Sequence, residues 1–134
     1  MSENLDLVRS ILAGWERGDF SRAEWARPDI AFTIADGPDP TTSTGLAGMA
    51  QVLRTRLSAW SDLRVEVDEY RAIDDERVLV LLHAVGGRGK ASGHQLTSVA
   101  SPGADLFHIV DGKVTRLVVY YDRHHALADL GLEG

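Results

Sequence analysis

Apolar residues fall at helical spacing at Leu5, Val8, Ile11, Leu12 and Trp15, so residues 3 to 17 are expected to form an amphipathic helix. Gly18 stands where a left-handed cap would end it. Ser21 and Glu24 then have the spacing of a capping box, with Phe20 able to staple against Trp25, which predicts a second helix. It must be short, because Pro28 disfavours helical geometry at Arg27. DIAFTIAD, residues 29 to 36, reads as a strand, and GPDPTTSTG, Gly37 to Gly45, as a loop rich in turn formers. Leu46, Met49, Leu53, Leu57 and Trp60 return to helical spacing with one buried stripe, predicting a third helix from 46 to 60.

The second half changes period. Leu63, Val65 and Val67 alternate with charged residues as in a half-exposed strand that ends at the turn Asp74-Asp75-Glu76. RVLVLLHAV, Arg77 to Val85, is apolar on both parities, the pattern of a central strand covered on both faces. GGRGK, residues 86 to 90, reads as a flexible turn or bulge. His94 to Ala100 and Asp105 to Val110 read as one long strand interrupted near Ser101-Pro102-Gly103, and Asp111-Gly112 turns it into Val114 to Tyr121. A last helix follows, opened by Asp122 as N-cap and closed near Gly131. The order helix, helix, strand, helix, four strands, helix predicts an α+β fold, with a curved antiparallel sheet wrapped around helices that cover one face.

The Asp111-Gly112 hairpin decides which side chains face the helices, because a one-residue slip moves every side chain to the other face. A two-residue type I′ loop pairs Val110 with Lys113 and sets Leu106 opposite Leu117. A three-residue loop with Gly112 in a bulge pairs Ile109 with Lys113 and Asp105 with Leu117. The second is preferred. It places Asp105, Phe107 and Ile109 with Leu117, Val119 and Tyr121 on the inner face, and His108, Arg116, Val118 and Tyr120 on an outer face of mixed polarity.

The chain has 134 residues, 44% hydrophobic and 25% charged, so it suits one globular domain spanning 1–134 with a true core. No cysteine excludes a disulfide framework and thiolate zinc, and the start MSENLDLVRS lacks a secretory pattern, so a cytoplasmic location is expected. A formal charge of −6 repels phosphate backbones and anionic lipid, so nucleic acid and membrane are not expected partners. The glycine-rich GGRGK does not open a helix, as a phosphate cradle would. The histidines lack carboxylates at ligand spacing, so no metal is expected.

W-E-R-G-D-F at Trp15 to Phe20, D-G-K-V-x-R-L-V-x-Y-x-D at Asp111 to Asp122 and the tail from Asp122 to Leu132 resemble the SnoaL-like group. That group belongs to the superfamily named for nuclear transport factor two, with ketosteroid isomerase, limonene epoxide hydrolase and polyketide cyclases. The resemblance implies a cystatin-like, cone-shaped α+β barrel, a ligand between helices and sheet, no cofactor, and a homodimer through the outer sheet face. Aligned on the hairpin, Asp105 matches the isomerase's protonated aspartic acid, which donates to the developing oxyanion. The isomerase's tyrosine falls at Ile11 and its general base near Ile34, with Asp36 two residues away. The hydrolase's last-strand aspartate falls at Val119, and its Arg-x-Asp pair at Leu81 and His83. The acidic residue of the cyclases has its nearest counterpart in Asp122, which reads more simply as a helix cap.

Three polar residues therefore stand out as a candidate catalytic set. His83 reads as a general base oriented by a carboxylate, or else as a bonded core histidine. Asp105 reads as a desolvated carboxyl able to donate to a carbonyl, or as a partly wet strand end. Tyr121 reads as a second donor or as core. Trp15, Phe32, Ile34, Asp36, Met49, Leu53, Trp60, Phe107 and Val119 are candidate ligand contacts. The expected function is binding of a small, largely apolar, carbonyl- or hydroxyl-bearing metabolite with cofactor-free acid/base catalysis of isomerase, cyclase or hydrolase type. The alternative is a non-catalytic binding or interaction module that has lost the family bases.

Overall fold

A computed structural model describes residues 3–17, 24–35, 40–57, 60–61, 64–85, 88–89 and 103–132. Helix α1, Glu3–Glu16, forms as its periodicity predicts and buries Val8, Ile11, Leu12 and Trp15. Glu3 and Asp6 in its first turn complement the helix dipole. Helix α2, Gly45–Leu57, starts where Gly45 takes a φ of 89°, and buries Met49. Helix α3, Arg123–Leu130, is capped as expected: the Asp122 carboxylate accepts from the His124 N–H at 2.9 Å, and Gly131 closes it in the left-handed region.

The strands are β1 Ala26–Ile34, β2 Thr41–Thr44, β3 Trp60–Ser61, β4 Arg64–Ala72, β5 Arg77–Val85, β6 Arg88–Gly89, β7 Gly103–Val110 and β8 Lys113–Tyr120. Six of them form one open sheet in the order β2-β1-β8-β7-β5-β4, and β3 pairs with β6 separately. The fold class is α+β, as expected. The sheet is mixed rather than wholly antiparallel, because β1 runs parallel to β8. Among the described residues there are three helices, none long and apolar enough to cross a membrane.

Four local expectations change. The helix expected from 46 to 60 runs as Gly45–Leu57, and Trp60 lies in β3 instead. Glu24 and Trp25 lie in a turn and β1 already begins at Ala26, so the expected second helix does not extend through Arg27; Ser21 lies outside the described residues. Pro28, which was expected to end a helix, instead sits in extended chain. Thr41–Thr44, expected as loop, pairs antiparallel with Ala31–Ile34, and the hydroxyls of Thr33 and Thr42 lie 3.2 Å apart. The β-branched threonines, which fit a pleated surface, override the turn formers around them. Arg88–Gly89 is a two-residue strand rather than a simple turn, and His94 to Pro102 lie outside the described residues.

The decisive hairpin combines parts of both expected registers. Asp111 and Gly112 have φ of 53° and 77°, a two-residue loop of type I′ character, and Val110 pairs with Lys113. A bulge then inserts Thr115, so His108 faces Arg116 and Asp105 faces Val119. The Thr115 hydroxyl donates to the His108 carbonyl at 3.3 Å. The expected pairing of Asp105 with Leu117 is thus incorrect by two residues, an even number. Its assignment of faces survives for that reason.

Two cores result, one on each face of the sheet. Facing α1 and α2 are Ile30, Phe32, Ile34, Val78, Val80, Leu82, Phe107, Ile109, Val114 and Leu117. On the outer face Leu79, Leu81, Ala104, Leu106, Val118 and Tyr120 pack against Ala126 and Leu127 of α3. Part of the face expected to carry a dimer is therefore covered by the chain's own last helix.

Candidate functional site

Asp105 is the third residue of β7, on the helix-facing side. Its cross-strand neighbours are Val80 on β5 and Val119 on β8, and Val119 in turn pairs with Ile34 on β1. Phe107, two residues along the same face, is fully buried. Asp105, 6% exposed, is the one charged residue buried among the described residues. Among the described residues no hydrogen bond or ion pair reaches its carboxyl, whose oxygens keep a small exposure; the one fully sealed polar side-chain atom without a partner there is Ser43 Oγ. Burial alone acts on it and pushes its pKa up to about 7. At neutral pH and below, the side chain is thus substantially a neutral acid with an O–H to donate.

A buried carboxyl without a partner is costly. Leaving a polar group unpaired away from water costs about 1–3 kcal/mol in mutational data. A valine in that row would match its neighbours Val80 and Val119 and avoid the cost. An unpaired acid kept in such a place marks a functional candidate, since perturbed groups concentrate at sites.

The walls around Asp105 are carbon. Phe32, Ile34 and Met49 are each no more than 2% exposed in the same core, and Val119 packs partly buried against it. Trp15 closes the α1 side, its ring 6.0 Å from Phe107 and 6.1 Å from Trp25. Of the expected ligand contacts, Trp15, Phe32, Ile34, Met49, Phe107 and Val119 therefore share one apolar core with the Asp105 face. Leu53 and Trp60 have backbone in α2 and β3, but their side chains, like Asp36 altogether, lie outside the described residues.

The structure does not bring the candidate catalytic set together. Val80 pairs with Asp105, and His83 lies three residues further along β5, an odd number, so its side chain is on the outer face. The convergence expected of His83 and Asp105 is incorrect. Val78, Val80 and Leu82 face the helices, whereas Leu79, Leu81 and His83 face away. Tyr121 stands one residue beyond β8 and is 36% exposed, so it is neither core nor part of a sealed wall.

His83 has its own surroundings. A bulge between Val67 and Glu69 leaves Asp68 unpaired on β4, and its carboxylate lies 3.1 Å from His83 Nδ1. Glu66, directly across from His83, lies 3.5 Å from Nε2. Arg123, the first residue of α3, donates to Asp68 at 2.7 Å and to the carbonyls of Leu82 and Gly103 at 3.2 and 3.4 Å. Burial acts to raise the Asp68 pKa, but the hydrogen bonds from Arg123 and His83 outweigh it and hold the carboxyl below its ordinary value. This cluster fastens the start of α3 to the sheet. The sequence reading missed Asp68 and Arg123 because nothing in V-E-V-D-E-Y signals a bulge.

The fold and the matched family agree. The SnoaL-like domain family matches residues 8–117, and the chain belongs to it. Its structure is similar to that of a protein of unknown function with a cystatin-like fold from Xanthomonas campestris, at 20% identity, 89% coverage of each chain and a TM-score of 0.70. It is similar also to a protein with a ketosteroid isomerase-like fold from Catenulispora acidiphila, in complex with trimethylamine, at 18% identity, 96% and 94% coverage and a TM-score of 0.69. A candidate polyketide cyclase from Sinorhizobium meliloti matches at 21% identity, 85% and 93% coverage and a TM-score of 0.63. These likenesses show the fold. No curated protein matches the chain.

Proposed function

We propose that the protein binds a small, largely apolar, uncharged metabolite between its helices and sheet, and that Asp105 donates a hydrogen bond to a carbonyl or hydroxyl oxygen of that ligand. One observation carries the reading: a carboxyl 6% exposed, pushed up to about 7, without a partner among the described residues, on the helix-facing side of a SnoaL-like fold. A neutral acid in an apolar wall suits an uncharged acceptor and disfavours an anion, whose charge would be left unpaired there. In the enzymatic form of this reading the same O–H stabilises negative charge developing on the ligand oxygen, where a donor in a dry site acts most strongly.

A second reading, binding without chemistry, is favoured by a specific observation. Val119, where the resemblance sets the hydrolase's aspartate, lies beside Asp105, and Ile34, near which it sets the isomerase's base, lies one strand further on the same face; both are apolar. Among the described residues the helix-facing core offers Asp105 no acid/base partner.

The bicyclic ketone tetralone and its parent hydrocarbon tetralin separate these readings. Below pH 7 the wild type is expected to bind the ketone at least about fivefold tighter than Asp105→Leu does, because a hydrogen bond to a desolvated group is worth about 1 kcal/mol or more. Tetralin should bind both alike. Equal ketone affinity in the two proteins would remove Asp105 from the site. Solvent deuterium entering the ketone α-position faster than with Asp105→Leu supports catalysis, and binding without exchange supports the module.

A further inference from the structure

The outer face of the sheet carries a row of three basic residues directly opposite one another on adjacent strands. Arg77 on β5 pairs with His108 on β7, and His108 pairs with Arg116 on β8. The chain carries a net charge of −6, so this basic stripe runs against the overall composition. Its two ends differ. The Asp74 carboxylate lies 2.8 Å from Arg77, and Glu76 lies 3.6 Å from His108 Nε2. Arg116 is exposed and has no carboxylate partner among the described residues.

The row borders a concavity of about 330 Å³. Its floor includes Leu106, Val118 and Tyr120, side chains 6–8% exposed, next to the part of the face that α3 covers. The Tyr120 hydroxyl is turned to Asp129, to which it donates at 3.2 Å, so the hydroxyl is already engaged. Greasy floor and cationic rim together specify an amphipathic anion. A bare phosphate would leave the floor unused, and a neutral apolar molecule would leave Arg116 unused. The volume lies at the small end of ligand pockets, about 300–1,000 Å³.

We propose that this outer concavity binds a small monocarboxylate with an aromatic or short aliphatic body, its carboxylate gripped by Arg116 beside His108 and its body lying on Leu106, Val118 and Tyr120. The planar guanidinium fork matches a carboxylate in two parallel hydrogen bonds. The site is on the opposite face from Asp105 and prefers the opposite charge, so it stands or falls independently of the ligand proposed there.

Benzoate, its neutral isostere benzamide, and inorganic phosphate test this on the full chain by calorimetry and methyl NMR. Benzoate is expected to bind saturably and to shift the Leu106 and Val118 methyl signals. Benzamide and phosphate should each bind at least about tenfold more weakly, as should benzoate to Arg116→Gln, since a hydrogen bond to a charged group is worth about 1.5–3 kcal/mol. Arg116→Lys should retain part of the affinity, and the exposure of Arg116 makes both variants expected to fold. The proposal is overturned if benzoate and benzamide bind alike, if Arg116→Gln binds as the wild type does, or if the shifted methyls belong to Val80 and Val119. It is also overturned if light scattering shows a dimer that Arg116→Glu dissociates, because a second copy would then be the occupant.

Discussion

Asp105→Asn replaces an acid that must lose a proton inside the core with an amide of nearly the same shape that has none to lose. In the native state the carboxyl titrates near 7 against an ordinary 3.8, and one pH unit of displacement is worth about 1.36 kcal/mol. The displacement therefore corresponds to about 4 kcal/mol, as an order of magnitude. Because the folded pKa is the higher one, between pH 4 and 7 the native state holds a proton that the unfolded chain has released. The stabilisation is complete below about pH 4, declines as pH rises, and is gone above about pH 7. Asparagine cancels this one contribution and leaves the others, so the difference between the two proteins isolates it. Urea unfolding at intervals from pH 4 to 8 should show the variant gaining about 4 kcal/mol on the wild type across that range, with nearly all the change between pH 4 and 7. A difference that stays flat, or that changes mainly below pH 4, would refute a desolvated, unpartnered carboxyl at this position.

Other consequences are equally accessible. Arg123→Ala should lower stability and loosen α3, seen as faster amide exchange in Ala126 and Leu127, without altering ketone binding. Asp68 titrates below its ordinary value, so the stability from its contacts should be present above about pH 4 and fade as pH falls through the lowered value, a change absent in Asp68→Asn. Gly103→Ala sets a Cβ 2.7 Å from the Tyr120 carbonyl oxygen, and overpacking of that kind should cost about 1–3 kcal/mol by thermal or urea unfolding. Asp122→Ala removes the α3 N-cap and should cost about 1 kcal/mol.

What could be read from the chain follows from which interactions are local. Helix α1, the two ends of α3, the alternation of Val65 and Val67 in β4 and the two-sided burial of β5 depend on spacing and caps within a few residues, and each formed as expected. The face of Asp105 was legible for a less direct reason. Apolar residues on both sides of the hairpin demand that Phe107 and Leu117 lie together, and the protein meets that demand with a tight turn and a bulge at Thr115 rather than with a longer loop. The position of His83 was not legible. Val78 to Leu82 are buried on both parities, so alternation gives no sign of which face His83 takes, and only pairing with β7 settles it. Asp68 and Arg123 were invisible because a bulge and a strand-to-helix junction 55 residues apart had to bring them together. The basic row on the outer face likewise depends on register across three strands.

The central claim is that Asp105 is a neutral donor presented to a ligand oxygen inside the helix-facing core. A carbon-13 NMR titration of the Asp105 carboxyl, alone and saturated with tetralone, tests it most directly. The midpoint should lie near 7 in the free protein and move higher with ketone bound, since a ligand that accepts from the acid holds the proton in place. A midpoint near 4, or one that the ketone leaves unchanged, would contradict the account.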